Sequence, residues 1–253
     1  MLKEKVRAAY GEIARVRDAE TAATCCTPPG YAPDYSLEEI ASVPEGAFLG
    51  EGSGNPVRAA QLQPGETVVD LGCGAGMDVF LAANQVGVRG QVIGVDMTPE
   101  MLQRARANAA RGNYPQVEFL QSDIERLPLA AENADAVLSN CVINLTPDKA
   151  AVYREIYRVL KPGGRFAVAD IVLRGEPGLI HKVLAECAPQ SCIGTASEEN
   201  QYLKTIRAVG FVEVKLVSER PAVAQPLESL VRAYAVTLVG RKPAACAGQT
   251  DAA

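Results

Sequence analysis

TVVDLGCGAGMDVFLAANQV, residues 67–86, is the stretch on which the fold turns. A short apolar run at 67–71 breaks into Gly72, Gly74 and Gly76, and the chain then resumes with helical spacing up to Gly87. Strand, glycine turn and helix in that order form the opening unit of a parallel α/β sheet, in which ligands bind beyond the carboxyl ends of the strands. The alternation continues downstream. QVIGVD (91–96), VEFLQ (117–121), ADAVLSN (134–140) and RFAVADIV (165–172) are rich in Val, Ile and Leu, as strands buried on both faces should be. Helical patterns fall at 77–87, 98–111 and 147–160. Thr98 and Pro99 stand as N-cap and first helical residue, and the turn Lys161 to Gly164 ends the last of these helices. Right-handed crossovers between such units predict a doubly wound, mostly parallel sheet. Beyond residue 172 the pattern loosens, then gives a helix near 197–209 and strands at 211–219 and 233–242. With no clear helix between them, these two strands should pair antiparallel and close one sheet edge, for seven strands in all.

Leu2, Val6, Ala9, Ile13 and Val16 recur at steps of four and three, which makes residues 2–16 an amphipathic helix lying on something larger. A loop holding Cys25 and Cys26 follows, then a capping box from Ser36 to Glu39. The segment Gly46 to Pro56, with GEGSGNP in it, is either a hinge or a backbone that approaches a ligand closely. The chain thus divides into an N-terminal arm and thiol loop (1–60), a main domain (61–242) and a frayed tail (243–253) in which Cys246 is idle.

Composition narrows the function. Of the 253 residues 48% are hydrophobic and 22% charged, an ordinary globular balance. The net charge of −5, with no clustered basic run, argues against a nucleic-acid binder. No uncharged apolar stretch reaches the roughly 18 residues of a membrane span, and the first residues are charged where a signal peptide would be apolar. A cytoplasmic protein is expected. Seven cysteines, an odd number, favour free thiols over a disulfide framework. One histidine, His181, leaves little for imidazole acid/base chemistry.

The glycine loop departs from a dinucleotide fingerprint, which would put its third glycine where Met77 stands. Asp70 places a carboxylate beside the loop, where it suits a ligand with a positive end, such as an ammonium or a sulfonium. Asp96, closing the second strand, occupies the position from which a carboxylate accepts from both ribose hydroxyls. Asp123 can reach an adenine amino group. In order, DLGCGAG, VIGVDM, SDIERLP and LKPGGR resemble a class I S-adenosylmethionine-dependent methyltransferase over about residues 65–242. The resemblance implies a Rossmann-like fold and adds Met97, Ile124 and Asn140 to the residues expected around the cofactor.

The thiols sharpen this. Cys141 ends the fourth strand on the same sheet edge as the glycine loop, and Cys192 lies in an irregular segment of the kind that folds over active sites. Cys73 reads as a small loop residue and Cys187 as a helix-face residue, and buried cysteines are commonly inert packing. SNCVINLTPDK, together with VIGVDMT, HKVL and CIGTA, resembles the arsenite methyltransferases over nearly the whole chain. The resemblance implies that Cys141 and Cys192 hold trivalent arsenic near the methyl donor, with an arsenic-site insertion at about 175–197. It further implies that Cys25 or Cys26 serves uptake or thiol exchange, with glutathione or thioredoxin as the small-thiol reductant. One departure stands out: where the family commonly has a further cysteine, in a segment like LGCGNP, this chain has Ser53. A hydroxyl is a hard ligand and does not replace a thiolate on a soft ion.

Transfer to arsenic from a sulfonium needs no proton removal, in keeping with the scarcity of histidine; positioning would supply the catalysis. With Ser53 in place of cysteine, methylation is expected to slow or stop after one methyl. Two other readings stay open at this level. The same fold could methylate a small organic acceptor, or the chain could be a thiol-based metalloid binder that transfers nothing and lacks S-adenosylmethionine binding.

Overall fold

The computed structural model describes residues 2–16, 34–175, 181, 183, 185–186, 191–223 and 232–245. Helices α1 (Leu2–Val16), α2 (Leu37–Ala41) and α3 (Pro56–Ala60) precede β1 (Thr67–Leu71). Then come α4 (Met77–Val86), β2 (Gln91–Asp96), α5 (Pro99–Gly112), β3 (Val117–Gln121) and β4 (Ala134–Asn140). A 3-10 turn, Ile143–Leu145, leads to α6 (Lys149–Val159), β5 (Leu160–Leu173), β6 (Ser197–Glu198), α7 (Glu199–Ala208), β7 (Val212–Pro221) and β8 (Ala233–Arg241). The sheet runs β3-β2-β1-β4-β5-β8-β7, with β6 off this path beside β5. Neighbours from β3 to β5 are parallel, and β8 is antiparallel to both β5 and β7.

The central strands are apolar without interruption because both faces are covered. Val68, Ala136 and Leu138 pack on one side with Val57 of α3, Phe80 of α4 and Leu102 of α5. Val69, Val137 and Phe166 pack on the other with Tyr153 of α6 and Tyr202 of α7. Helix α1 joins neither layer. Its Val6 packs with Cys141, Leu145 and Cys192, over the carboxyl edge of the sheet. Among the described residues, no helix is long and apolar enough to cross a membrane.

The strand spans inferred at 67–71, 91–96, 117–121 and 134–140 coincide with β1 to β4. Two local readings need correction. An eighth strand, the two-residue β6, occupies the start of the helix expected at 197–209. Glu198 is its N-cap, extended at ψ 138°, and its side chain accepts from Gln201 N at 2.9 Å, so the helix begins one residue later. The turn expected at Lys161–Gly164 is absorbed into β5: Leu160 pairs with Ala134 and Arg165 with Ala136, leaving those four residues bulged against Asp135. Thr98 and Pro99 stand at the N-cap and first turn of α5 as expected, the Thr98 backbone N–H donating to Asp96 Oδ1 at 2.8 Å. The capping box from Ser36 to Glu39 forms as expected, with both reciprocal bonds.

Candidate active site

The glycine loop closes because β1 and β2 are in parallel register. Past Leu71, the Gly72 and Cys73 N–H groups both donate to Val95 O, at 2.7 and 3.1 Å, which curls the chain into α4. Gly72 has φ 71°, and a Cβ there would lie 2.6 Å from the Val142 side chain. At Gly74, φ 52°, a Cβ would meet nothing nearer than Met101 Sδ at 4.0 Å. The loop backbone is therefore open at Gly74, on the side where a cavity begins.

That cavity brings together most of the residues singled out from sequence: Asp70, Gly72, Gly74, Asp96, Met97, Asp123, Ile124, Asn140 and Cys141 all line it. Gly76 does not. It stands behind the loop with φ 100°, close against the Phe80 ring, and serves the turn itself. Cys192 is also set back from the wall, fully buried, and its thiol donates to the Cys141 carbonyl at 3.1 Å. Cys25 and Cys26 lie outside the described residues, as do Cys187 and Cys246. Cys73, a free buried thiol, packs in the core beneath the loop, and burial followed by the charges of Asp96 and Asp70 pushes it well above the usual thiol range.

Three carboxylates set the cavity's electrostatics. Asp70 is buried at the end of β1, and burial, reinforced by the charges of Asp78 and Asp96, holds it well above the ordinary carboxylate range. Asp96 is raised by burial too, countered by backbone N–H groups: Gly74 N reaches Oδ2 at 3.0 Å and Thr98 N reaches Oδ1. Asp78, in the first turn of α4, is pushed up to about 6 by burial although Tyr35 and Asn140 hydrogen-bond to it. So dense a set of buried carboxylates favours a ligand carrying positive charge.

Sequence reasoning missed Asp78 and Tyr35. Tyr35 donates to Asp78 Oδ1 at 2.6 Å and accepts from Asn140 Nδ2 at 2.9 Å. Asn140 also donates to Gly54 O at 2.9 Å and accepts from Ser53 N at 2.8 Å, tying the Gly50–Pro56 segment to the end of β4. That segment is a close packing, with a Cβ at Gly54 only 2.8 Å from Thr237 Oγ1, so the hinge alternative falls. Asp78 had a signal, an acidic residue two positions after Gly76 at a helix start facing the loop; Tyr35, distant in sequence, had none. The arm contributes as well. Lys3, Val6 and Tyr10 of α1 line the cavity, and Lys3 is ion-paired with both Asp123 and Glu125.

Cys141, which also lines the cavity, follows β4 with φ 58°, a left-handed conformation uncommon for a residue with a side chain. Its N–H donates to Ala169 O at 2.8 Å. Ser53 is buried, and its hydroxyl has no hydrogen-bond partner among the described residues. Among those residues, no group of three or more His, Cys, Asp or Glu side chains is arranged to hold a metal ion.

Against known proteins, a methyltransferase-domain family profile matches residues 62–210. The arsenite methyltransferase of Halobacterium salinarum is 54% identical over 138 residues, covering 54% of this chain and 35% of that one. The human arsenite methyltransferase is 32% identical over 230 residues, covering 86% of this chain and 60% of that one. The crystal structure of an arsenic(III) S-adenosylmethionine methyltransferase from Chlamydomonas reinhardtii superposes with a TM-score of 0.65 at 32% identity, covering 85% of this chain and 72% of that one. The chain thus spans 35% and 60% of the two curated relatives' lengths. A glycine loop over a carboxylate-lined cavity, the matched domain and the likeness to these proteins place the chain in the arsenite methyltransferase family of S-adenosylmethionine-dependent methyltransferases.

Proposed function

We propose that this protein methylates trivalent arsenic held by Cys141 and Cys192, with mainly the monomethyl product. The observation that carries this reading is the 3.1 Å contact between the Cys192 thiol and the Cys141 carbonyl, with Cys141 lining the same cavity as Gly72 and Gly74 of the glycine loop.

The residues present fit S-adenosylmethionine. Gly74 leaves backbone open at the loop, the buried Asp70 and Asp78 suit positive charge, and Asp96 presents a carboxylate in the cavity wall at the end of β2. When bound, S-adenosylmethionine would supply an electrophilic sulfonium methyl: an arsenic lone pair would form the new As–C bond as the S–CH3 bond breaks and S-adenosylhomocysteine leaves as a neutral thioether, with no proton to remove. The protein's share is then placement. Asp70 and Asp78 would hold the cationic end, Asp96 the ribose, and Met97, Ile124 and Asn140 the remaining wall. Asp123 would meet the adenine amino group from the rim. Cys141 and Cys192 would supply two thiolates and fix the arsenic within reach of the methyl group, which is where the rate gain arises.

A third sulfur would come from Cys25, Cys26 or a small thiol such as glutathione or thioredoxin, which would also act as reductant. Ser53 offers only a buried hydroxyl, a hard ligand, so this segment supplies no third thiolate beside Cys141 and Cys192. The reducing cytoplasm would keep these thiols available. The test is to incubate the reduced protein with arsenite, S-adenosylmethionine and glutathione, and to separate arsenic species by chromatography with element-specific detection. A monomethyl product supports the proposal. A dimethyl product formed as fast would remove the monomethyl preference, and Cys141→Ser matching wild type would remove the thiol site.

A further inference from the structure

The string SNCVINLTPDK contains more than its cysteine, and Asn144 and Lys149 have no part in the site described so far. Asn144 is fully buried in the 3-10 turn after Cys141. Its backbone N–H donates to Asp170 Oδ2 at 3.1 Å, and its amide donates to Asp170 Oδ1 at 2.7 Å and Ile171 O at 2.6 Å. Asp170, buried on β5, also accepts from Tyr202 Oη at 2.9 Å. The turn that carries Cys141 is thus bolted to β5.

Lys149, the first residue of α6, extends this to the other thiol. Its ammonium donates to Asn144 O at 3.4 Å and to Thr195 O at 3.2 Å. Thr195 belongs to the turn Ser191–Ala196, which holds Cys192 and is otherwise closed by its own bonds, Thr195 N to Ser191 O at 3.2 Å and Gly194 N to Ser191 Oγ at 3.0 Å. One ammonium therefore spans the two segments, beside the contact from the Cys192 thiol to the Cys141 carbonyl. Burial lowers the Lys149 ammonium below its ordinary range, countered by the charge of Asp170. A cation is withdrawn from water only where carbonyls and a carboxylate replace its hydration, so its retention here asks for a reason.

We propose that Lys149 is a positioning residue: it clamps the turn carrying Cys192 onto the turn carrying Cys141 and so sets the spacing of the two thiols. As an account of turn geometry this stands on the contacts above; its bearing on arsenic rests on the function proposed in the preceding section.

The test compares wild type, Lys149→Met and Lys149→Arg as full chains. Alkylation of each cysteine by N-ethylmaleimide is followed by peptide mass spectrometry. Cys192 should react about tenfold or more faster in Lys149→Met, as a locally opened segment does. Cys73, 7% exposed and lining the cavity, should keep its wild-type rate, and Lys149→Arg should return Cys192 toward the wild-type rate. With arsenite as substrate, Lys149→Met should raise KM more than it lowers kcat, and its affinity for S-adenosylmethionine should match wild type. An unchanged Cys192 rate, or Cys73 and Cys192 speeding together, overturns the clamp. Wild-type protein that takes up no phenylarsine oxide through Cys141 and Cys192 overturns the arsenic reading instead, and the alkylation rates still decide the clamp.

Discussion

At Gly72 a methyl group would sit 2.6 Å from the Val142 side chain, and the positive φ disfavours any side chain there. Gly72→Ala should therefore shift the loop and weaken S-adenosylmethionine binding by about 1–3 kcal/mol, the scale of a strained backbone position, measurable by calorimetry. Ser53→Cys tests the opposite kind of change. It places a soft donor where an unpartnered hydroxyl lies, and should raise the dimethyl share of the arsenic products. Asp78 carries a pH signature. Its carboxyl rises from an ordinary 3.8 to about 6, so the folded protein holds its proton more tightly than the unfolded chain. The stability this contributes is present below 3.8 and is lost as pH rises through about 6, when a buried charge appears. A cationic ligand compensates that charge. The increase in Tm produced by S-adenosylmethionine should accordingly grow as pH rises through about 6, and Asp78→Asn should flatten the trend. At this scale the sequence was informative wherever chemistry follows from position along one motif, as for Asp70, Asp96 and Cys141. It was silent on Tyr35, which reaches Asp78 across 43 positions. It also gave Asn140 a cofactor contact without the four hydrogen bonds that fix its amide to protein groups.

Among the elements, α1 has a role that its amphipathic pattern only half disclosed. Apolar spacing says that one face is buried; it does not say against what. Tyr10 and Val6 line the cavity, Arg15 reaches Glu100 at 2.6 Å, and Lys3 is ion-paired with Asp123, which lines the same cavity. Exposed ion pairs contribute little to stability, so Lys3→Ala should alter unfolding free energy by less than about 1 kcal/mol. The same change should speed release of S-adenosylmethionine in stopped-flow experiments, and salt should reproduce the effect in wild type by screening. Strands were more legible than helix ends, because an apolar run buried on both faces leaves few other readings. Helix starts such as Glu199 depend on which backbone N–H one side chain accepts from, and the bulge at Lys161–Gly164 depends on a partner strand remote in sequence.

For the molecule as a whole, cohesion comes from two apolar layers divided by the sheet. In one of them Phe166 lies with its ring centroid 4.9 Å from that of Phe211 and 5.8 Å from that of Tyr153, all three well buried. Phe166→Ala should cost about 3–5 kcal/mol in denaturant unfolding, by lost contact and residual cavity. The doubly wound plan was readable because β1 to β5 each announce themselves by composition; the antiparallel pairing of β7 with β8 followed from a sequence between them with no clear helical pattern. That antiparallel return has a practical consequence. Because β8 runs against β5, Arg241 pairs with Arg165, and Gly163 N donates to Lys242 O at 3.1 Å, at the amino end of the parallel strands. The cavity opens at the carboxyl end. Anything joined after Ala245, whether a fluorescent reporter or a tether to an electrode or bead, would leave from the far side and keep the cavity mouth facing solution, a favourable orientation for building an arsenic biosensor from this chain.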